Sequence, residues 1–374
     1  MSALLEKILS RDNMFAALDK VKANKGAGGI DGISVDEIDQ YLKENWVDIR
    51  DKIRRRKYKP KPVRRVEIPK PNGGVRNLGI PTVVDRVIEQ AIVQVLTPIA
   101  EPHFSEYSYG FRPNRRAEQA IIKLLEYFND GYTYIVDIDL EKFFDNVPQD
   151  KLMTLVHNML NELDKELEAR GLHFVRYADD CVIAVGSSAA ANRVMATVTK
   201  WIEKKLGLKV NATKSKVTKP TKLKYLGFGF WKDNNDGLWK ARPHKDSIEK
   251  FKRKLKQLTN RSWSVRMDYR IMRLNQVIRG WINYFRMGNM KKALTRIDEH
   301  LRTRMRIVIW KKWKTREKRI WGLRKLGAPM WMAKQSAGFC DHYQAVAKTT
   351  GLHHISKEIL ARRGLLCCLD YYLN

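Results

Sequence analysis

Two adjacent aspartates between short apolar segments constrain the fold of this chain most. Residues 174–178 and 181–185 are mostly apolar and long enough for strands, while Asp179 and Asp180 between them are residues that turns favour. The pattern predicts a β-hairpin. The apolar residues 132–140 predict a further strand upstream, and Asp139 stands near its end.

Helical patterns separate these strands in a regular order. Apolar residues at helical spacing predict one helix over residues 149–169 and a second over residues 189–206, and a strand is expected to begin at residues 208–210. The order β-α-β-β-α-β is typical of a ferredoxin-like α+β fold. Because the first strand of that fold lies beside the third, Asp139 is expected to lie close to Asp179 and Asp180.

Such a carboxylate cluster favours a cation. Mg²⁺ takes one or two protein carboxylates and completes its shell with water and substrate phosphates. Two such ions can stabilise the attacking and leaving oxygens of phosphoryl transfer. An Asp-Asp pair in a hairpin is by itself more often an ordinary turn, and Asp137 and Asp145 are equally compatible with surface or capping positions.

The charge of the chain indicates a polyanionic partner. Its 374 residues include 72 Lys and Arg against 41 Asp and Glu, a formal net charge of +31. Residues 231–374 hold 34 basic against 11 acidic residues and eight of the ten Trp, and nearly all of this part is predicted to be helical. Basic helices with interleaved aromatic residues suit phosphate contacts and stacking on bases, although Trp residues also fill helix-bundle cores. Nucleic acid is the leading candidate.

Composition excludes several classes of protein. Hydrophobic residues make up 44% of the chain, which excludes wholesale disorder. The four cysteines form no C-x-x-C pair, which argues against a zinc finger and for a reducing compartment. No stretch approaches the ~18 apolar residues of a membrane span, and residues 1–10 lack a signal-peptide core. A soluble intracellular protein without a membrane partner is expected.

The remaining patterns predict the elements around this core. Residues 64–81 predict a β-hairpin about Asn72 and Gly73, with helices over residues 83–96 and 118–128. The glycine-rich residues 24–32 lack the spacing of a phosphate-binding loop, so the residues alone favour a flexible surface loop. Further down the chain, the pattern predicts a strand or hairpin over residues 222–231 and helices over residues 245–260, 268–287 and 291–314.

Seven motifs in this order resemble those of the reverse transcriptases encoded by bacterial group II introns. The resemblance runs over almost the whole chain and implies a right-hand polymerase, with fingers, a ferredoxin-like palm and an all-helical basic thumb or maturase domain. The motifs are RRVEIPKPNGGVRNLGIPTVVDRVIEQAI, YSYGFRPNRRAEQAI, IVDIDLEKFFDNV, FVRYADDCVIAV, GLKVNATKSKV, LKYLGFGF and IRGWINYFRMGNM.

The resemblance implies roles for the residues at matching positions. Asp139, Asp179 and Asp180 would hold two Mg²⁺ ions and carry catalysis. The residues that would bind the incoming nucleotide are Lys70 and Arg76 on the first hairpin, Phe111, Arg112, and Phe144 as the gate against a ribose 2′-hydroxyl. Lys214 would contact the palm site, and the loop at residues 26–32 would grip template instead of forming a plain surface loop.

One block of the family pattern is missing. Family members place a Gly-Thr-Pro-Gln-Gly-Gly loop between the strand of Asp139 and the hairpin of Asp179, and no such loop occurs between Asp145 and Tyr177. Apolar positions stay in phase across the junction near residues 158–162, so two helices are expected to fuse into one. Loss of a loop that positions nucleotide and template predicts severely weakened polymerase activity.

The sequence therefore predicts four regions, among them an internally shortened reverse transcriptase domain. These are an N-terminal fingers extension (1–60), fingers and palm (61–231), thumb or maturase (240–330) and a basic C-terminal region (331–374). The expected partners are group II intron RNA, RNA template with DNA primer, dNTPs and target DNA, in a cytoplasmic ribonucleoprotein. The alternatives are a maturase that binds intron RNA without synthesis and, less favoured, a general nucleic-acid-binding protein.

Overall fold

The computed structural model describes residues 3–69, 73–141, 152–339 and 342–374, with the backbone alone at residues 152–159 and 350. It consists of two compact units, Met1–Phe104 and Ser105–Asn374. Each unit has its own buried core. Within the described ranges, no helix combines the length and apolar character needed to span a lipid bilayer.

The N-terminal unit packs four helices beside one hairpin. Its elements are α1 (Ala3–Ile8), α2 (Arg11–Ala23), α3 (Ile38–Arg54), β1 (Arg64–Pro69), β2 (Val75–Ile80) and α4 (Val83–Ala100). The predicted hairpin is confirmed, because β1 and β2 pair antiparallel with Arg64 opposite Ile80 and Pro69 opposite Val75. Thr82 caps α4 by accepting the Asp85 amide at 3.1 Å.

The glycine-rich loop of this unit is packed and not free. The Arg86 guanidinium donates to the Ala27 carbonyl at 2.7 Å. A Cβ at Gly29 would lie 2.6 Å from the Thr82 Cα, so only glycine fits this close approach to the start of α4. Residues 24–32 therefore form a surface loop that is anchored to the start of α4 at Ala27 and Gly29.

The C-terminal unit is built on a four-stranded antiparallel sheet. Its strands are β3 (Tyr134–Ile138), β4 (His173–Tyr177), β5 (Asp180–Val185) and β6 (Lys216–Thr218), in the spatial order β4-β5-β3-β6. Two helices make the crossovers, α6 (Leu152–Ala169) and α7 (Ser188–Trp201), the latter extended by a π-helical turn at Ile202–Leu206. This is the predicted ferredoxin-like order, with the first strand beside the third.

The predicted start of the fourth strand is wrong. At residues 208–210 the chain makes only an isolated bridge between Val210 and Leu140, and the strand begins at Lys216. The Asn211 carboxamide oxygen accepts the amides of Thr213 at 3.1 Å and Lys214 at 3.2 Å. This side chain forces a turn where apolar alternation alone suggested a strand.

The two faces of the sheet pack against different partners. Val136, Phe174 and Ile183 belong to the core that includes residues of α6 and α7. Ile135 and Val182 belong to the larger core, which includes residues of a second sheet and the C-terminal helices. Antiparallel strands buried on both faces explain the nearly unbroken apolar runs of β3 and β5.

A second, three-stranded sheet follows the first. Its strands are β7 (Lys224–Tyr225), β8 (Phe228–Lys232) and β9 (Trp239–Pro243), paired in that order. The expectation of helix alone after residue 231 is wrong at β9. Gly237, with a φ of +71°, closes the turn from β8 by donating its amide to the Asp233 carbonyl at 2.9 Å.

Helices complete the unit. The four that the sequence predicted, over residues 118–128, 245–260, 268–287 and 291–314, are confirmed to within a few residues. Trp310 is buried in their core, while Trp321 and Trp331 are 62% and 65% exposed. The helices are α5 (Ala117–Asn129), α8 (Lys245–Leu258), α9 (Met267–Phe285), α10 (Lys291–Lys312), α11 (Arg316–Lys325), α12 (Met330–Ala337), α13 (Tyr343–Val346), α14 (Thr350–His353), α15 (Lys357–Arg362) and α16 (Cys368–Leu373).

Candidate active site

The strand register brings three aspartates to one end of the four-stranded sheet. In the ladder between β3 and β5 the last pair is Ile138 opposite Cys181, so the next residues in register are Asp139 and Asp180. Residues directly opposite each other in an antiparallel pair share a face of the sheet. Asp179 is the neighbouring turn residue. The convergence expected from the sequence is thus present in the backbone.

The turn that carries Asp179 is tight. Tyr177 pairs with Asp180, so the loop of the hairpin has two residues, Ala178 and Asp179. Ala178 has a φ of +57°, in the left-handed region. A non-glycine residue held there costs ~1 kcal/mol or more and persists only when surrounding contacts fix it.

A buried ion pair supplies one such contact. The Arg176 Nε donates to Asp164 Oδ1 at 2.6 Å, a second bond joins Nη2 to Oδ2, and Nη1 donates to the Ala178 carbonyl at 2.9 Å. The two side chains are 7% and 0% exposed. Burial raises the pKa of Asp164, and the bonds from Arg176 oppose that shift. One guanidinium thus ties α6 to β4 and to the strained turn.

The segment before α5 supports the turn from the other side. The amide of Tyr109 donates to the Arg176 carbonyl at 2.9 Å, and the Arg176 amide donates to the Tyr107 carbonyl at 2.9 Å. A Cβ on Gly110 would overlap the amide nitrogen of Ala178 and lie 2.9 Å from the carbonyl carbon of Tyr177. Backbone therefore packs directly on backbone here.

Phe111 and Arg112 lie next to this packed glycine in very different environments. Phe111 is 80% exposed, has a φ of +56°, and its ring centroid lies 6.2 Å from that of Tyr177. Arg112 is 9% exposed and donates to the backbone carbonyls of Ser105 and Ser108, the latter at 2.9 Å. Phe111 is available to a ligand beside the turn, while Arg112 braces the segment that presents it.

Lys214 contacts the first aspartate. Its Nζ lies 2.8 Å from Asp139 Oδ2, and this ion pair raises the pKa of Lys214. The loop is tied to the same residue through its backbone, because the Asp139 amide donates to Ser215 Oγ at 3.0 Å and the Asn211 amide donates to the Asp139 carbonyl at 2.8 Å. Lys214, which the sequence predicted to contact the palm site, therefore lies against one of the three aspartates.

The carboxylates influence one another electrostatically. The pKa of Asp180 is raised to about 6, mainly by partial burial; Asp179 and Asp139 contribute to the increase and Lys214 opposes it. The pKa of Asp137 is likewise raised to about 6, mainly by burial; Lys216 opposes the increase, and Asp180 and Asp139 contribute to it. Asp137 was not selected from the sequence. Its position two residues before Asp139, hence on the same face of β3, was the available signal.

The carboxylates of Asp139, Asp179 and Asp180 have the chemistry and the charge to bind a divalent cation. Asp139 Oδ2 is buried and receives no well-directed hydrogen bond in the described part of the chain, although Lys214 lies beside it. Clustered carboxylates of this kind are relieved by a hard cation. As the side chains stand, however, no group of three or more His, Cys, Asp or Glu among the described residues is arranged to hold a metal ion.

The other predicted nucleotide-binding residues belong to the N-terminal unit or lie outside the described residues. Arg76 lies in β2 of the N-terminal unit, opposite Ile68, and is exposed. Lys70 and Phe144 lie outside the described residues. Their roles stay predictions.

Two models of known protein families match this chain, each over a different region. Residues 68–159 and 153–230 match the reverse transcriptase (RNA-dependent DNA polymerase) family, and residues 248–327 match the maturase-specific domain of group II introns. The chain belongs to the group II intron reverse transcriptases and maturases. The first match covers the sheet with Asp139 and Asp180, and the second covers α8 to α11.

Curated relatives match parts of the chain. Protein YkfC of Escherichia coli K12 is 36% identical over 146 residues, which are 37% of this chain and 38% of that protein. The group II intron-encoded protein LtrA of Lactococcus lactis is 33% identical over 161 residues, 43% of this chain and 26% of that protein. The chain thus matches well under half the length of these curated relatives.

A solved structure adds little to this assignment. Telomerase from Candida albicans superposes with a TM-score of 0.34 at 12% identity, over 73% of this chain and 68% of that chain. A likeness this weak supports no argument.

The reverse transcriptase match is divided where the sequence predicts the missing block. Its two segments overlap at residues 153–159, inside α6. One continuous helix spans Leu152–Ala169, as fusion of two helices predicts. The sheet and the Asp164–Arg176 pair are present despite the shortened connection.

Gly110→Ala is expected to destabilise this reverse transcriptase domain by ~1–3 kcal/mol, because the added methyl group must displace the backbone of the Ala178 turn. The matched control is Gly186→Ala, just beyond β5, where nothing lies within 4 Å of the added Cβ. That variant is expected to change stability by less than ~1 kcal/mol. Urea unfolding of both variants measures the difference, and equal stability would show that the contact is not tight.

Proposed function

We propose that the chain is an RNA-directed DNA polymerase that also acts as the maturase of its group II intron. The supporting observation is the convergence of Asp139, Asp179 and Asp180 at the end of the sheet that matches the reverse transcriptase family. The maturase-specific match over the basic helices supports the second activity. Between residues 251 and 325 there are 24 basic and 4 acidic residues, a balance suited to RNA.

In this proposal Asp139, Asp179 and Asp180 hold Mg²⁺, which when bound supplies charge stabilisation for nucleotidyl transfer between a primer hydroxyl and a dNTP. The residues of the chain contribute position. Lys214 balances the charge of Asp139 until a cation takes over that role, since its ammonium lies against the buried Oδ2. Phe111 offers an exposed ring beside the turn for contact with the nucleotide.

The partners follow from the same proposal. They are an RNA template with a DNA primer, dNTPs, the intron RNA and the target DNA of insertion. We also propose that Lys70, Arg76 and Phe144 contact the nucleotide, and that Arg112 contributes to its binding by supporting the segment of Phe111. The proposed domain boundaries are residues 1–60, 61–231, 240–330 and 331–374, and the proposed working form is a cytoplasmic ribonucleoprotein.

Primer extension on an RNA template is expected to give weak synthesis that depends entirely on added Mg²⁺. The activity should be weak because the chain lacks the family's positioning loop, and small misplacement of reacting groups already costs ~100-fold in rate. The measurement is extension with Mg²⁺ and with a chelator. Robust synthesis would show that the missing loop matters less than proposed.

The alternative is a maturase that binds intron RNA without synthesis. Two observations favour it: the divided family match inside α6 and the Lys214–Asp139 ion pair, which blocks one carboxylate oxygen. A chain that binds intron RNA and promotes its splicing but extends no primer at any Mg²⁺ concentration would decide for this alternative.

A further inference from the structure

A cationic cleft lies in the C-terminal helices, formed by residues other than those of the aspartate site. It has a volume of about 830 Å³ and lies between the end of α8, the middle of α10 and α13. Its walls carry Arg253, Lys256, Arg261, Arg304 and His342, and none of the described lining residues is acidic. Asp341, next in sequence to His342, lies outside the described residues.

Arg304 is held rigidly at the wall of this cationic cleft. Its Nε donates to Thr259 Oγ1 at 3.2 Å, and its Nη2 donates to the carbonyls of Thr259 at 3.1 Å and Lys256 at 3.3 Å. Nη1 makes no hydrogen bond to any residue that the structure describes. Burial lowers the pKa of Arg304, and the nearby Arg261 lowers it further. The cleft therefore gathers positive charge that the described residues leave without a counter-ion.

The second arginine adds a planar surface. The Arg261 guanidinium lies over the Tyr343 ring at 4.6 Å from its centroid. A guanidinium stacked in this way keeps its N–H edge free for two parallel bonds to a phosphate. The neutral amides of Gln257, Asn260 and Gln344 line the same cleft. The fixed Arg304, the stacked Arg261 and these amides together suit a phosphate group with polar sugar and base edges beside it.

We infer that this cationic cleft binds the phosphodiester backbone of a nucleic acid strand. Charge complementarity carries the inference, because a strand would supply the anion that Arg253, Lys256, Arg261 and Arg304 lack, and each neutralised phosphate releases counter-ions. The inference deepens the proposed RNA binding of the chain and rests on it. The strand can be RNA or DNA, since both present the same phosphodiester.

The test compares two double variants of the full chain that remove equal charge from one helix. Arg253→Gln with Lys256→Gln changes the cleft, while Lys250→Gln with Lys254→Gln changes exposed positions of α8 outside it. The probes are a fluorescent oligouridylate and an oligothymidylate of equal length. Two lost phosphate contacts should weaken binding by ~10-fold near 0.15 M salt. They should also make the plot of the logarithm of the association constant against the logarithm of the salt concentration less steep, by ~1.4. The control should lose much less.

The possible outcomes separate the inference about the cleft from the proposed function of the chain. A selective loss in the cleft variant supports the inference, and a larger loss with oligouridylate than with oligothymidylate would show that the strand bound in the cleft is RNA. Equal losses in both double variants, or wild-type affinity in the cleft variant, would contradict the inference that the cleft binds a nucleic acid strand. Either result would leave RNA binding by the chain in place. Absence of binding by the unmodified chain would instead overturn the proposed function, and primer extension reports on that function separately.

Discussion

Asp179→Ala is expected to abolish primer extension while RNA binding stays within about twofold of the unmodified chain. Asp179 stands in the two-residue turn beside Asp180 and adds to the charge that raises the pKa of Asp180. Metal ions contribute several kcal/mol to the stabilisation of transition-state charge in phosphoryl transfer, and ~4 kcal/mol corresponds to ~1000-fold in rate. The measurement is extension at saturating template with Mg²⁺, beside a binding titration with the same RNA.

The matched control for this prediction is Asp236→Ala. Asp236 also lies in the turn of a hairpin, between β8 and β9, and pairs there with Lys240 at 2.6 Å. Its removal changes the net charge equally and is expected to leave synthesis unchanged. If Asp179→Ala extended primers as well as Asp236→Ala did, the aspartates would have no catalytic role and the maturase alternative would stand.

Asp164→Ala is expected to lower the free energy of unfolding by ~3–5 kcal/mol, because it leaves the buried Arg176 charge without its partner. The control on the same helix is Glu166→Ala, which removes a half-exposed pair with Arg170 at 2.7 Å and should cost less than ~0.5 kcal/mol. Urea denaturation measures both. A cost for Asp164→Ala as small as that of the control would mean that the pair is solvated.

A double variant separates the effect of the Asp164–Arg176 pair on stability from its effect on the position of the Ala178 turn. Asp164→Leu with Arg176→Met replaces the pair with apolar side chains and is expected to regain most of the stability. It also removes the donor to the Ala178 carbonyl, so synthesis should stay reduced. Recovery of both stability and synthesis would show that Arg176 does not position the turn.

The backbone of the site could be predicted from the sequence because each of its elements carries a strong local signal. The apolar runs of β3, β4 and β5 contain residues that are fully buried on both faces of the sheet, so their pattern left little choice. The antiparallel order then fixed where Asp139 and Asp180 meet. The convergence follows from topology and needed no knowledge of side-chain packing.

The side-chain chemistry could not be predicted in the same way. Arg112 sits in a motif that implied contact with nucleotide, yet its guanidinium satisfies backbone carbonyls, a use that depends on how the chain folds back on itself. Asp164 gave no signal at all, because its partner Arg176 is twelve residues away on another element. The break before β6 depended on one Asn211 side chain, which propensity alone does not resolve.

The anchoring of α6 limits how the length of this connection can vary. Asp164 is wholly buried against Arg176, and Leu160, Leu163 and Leu167 lie buried on the same helix, so its rotation about its axis is fixed at that end. Each residue added or removed upstream within the helix turns everything before it by ~100°. Insertions and deletions compatible with this sheet therefore come in near-whole turns, of about three, four or seven residues, while intermediate lengths would swing the preceding segment to the opposite side.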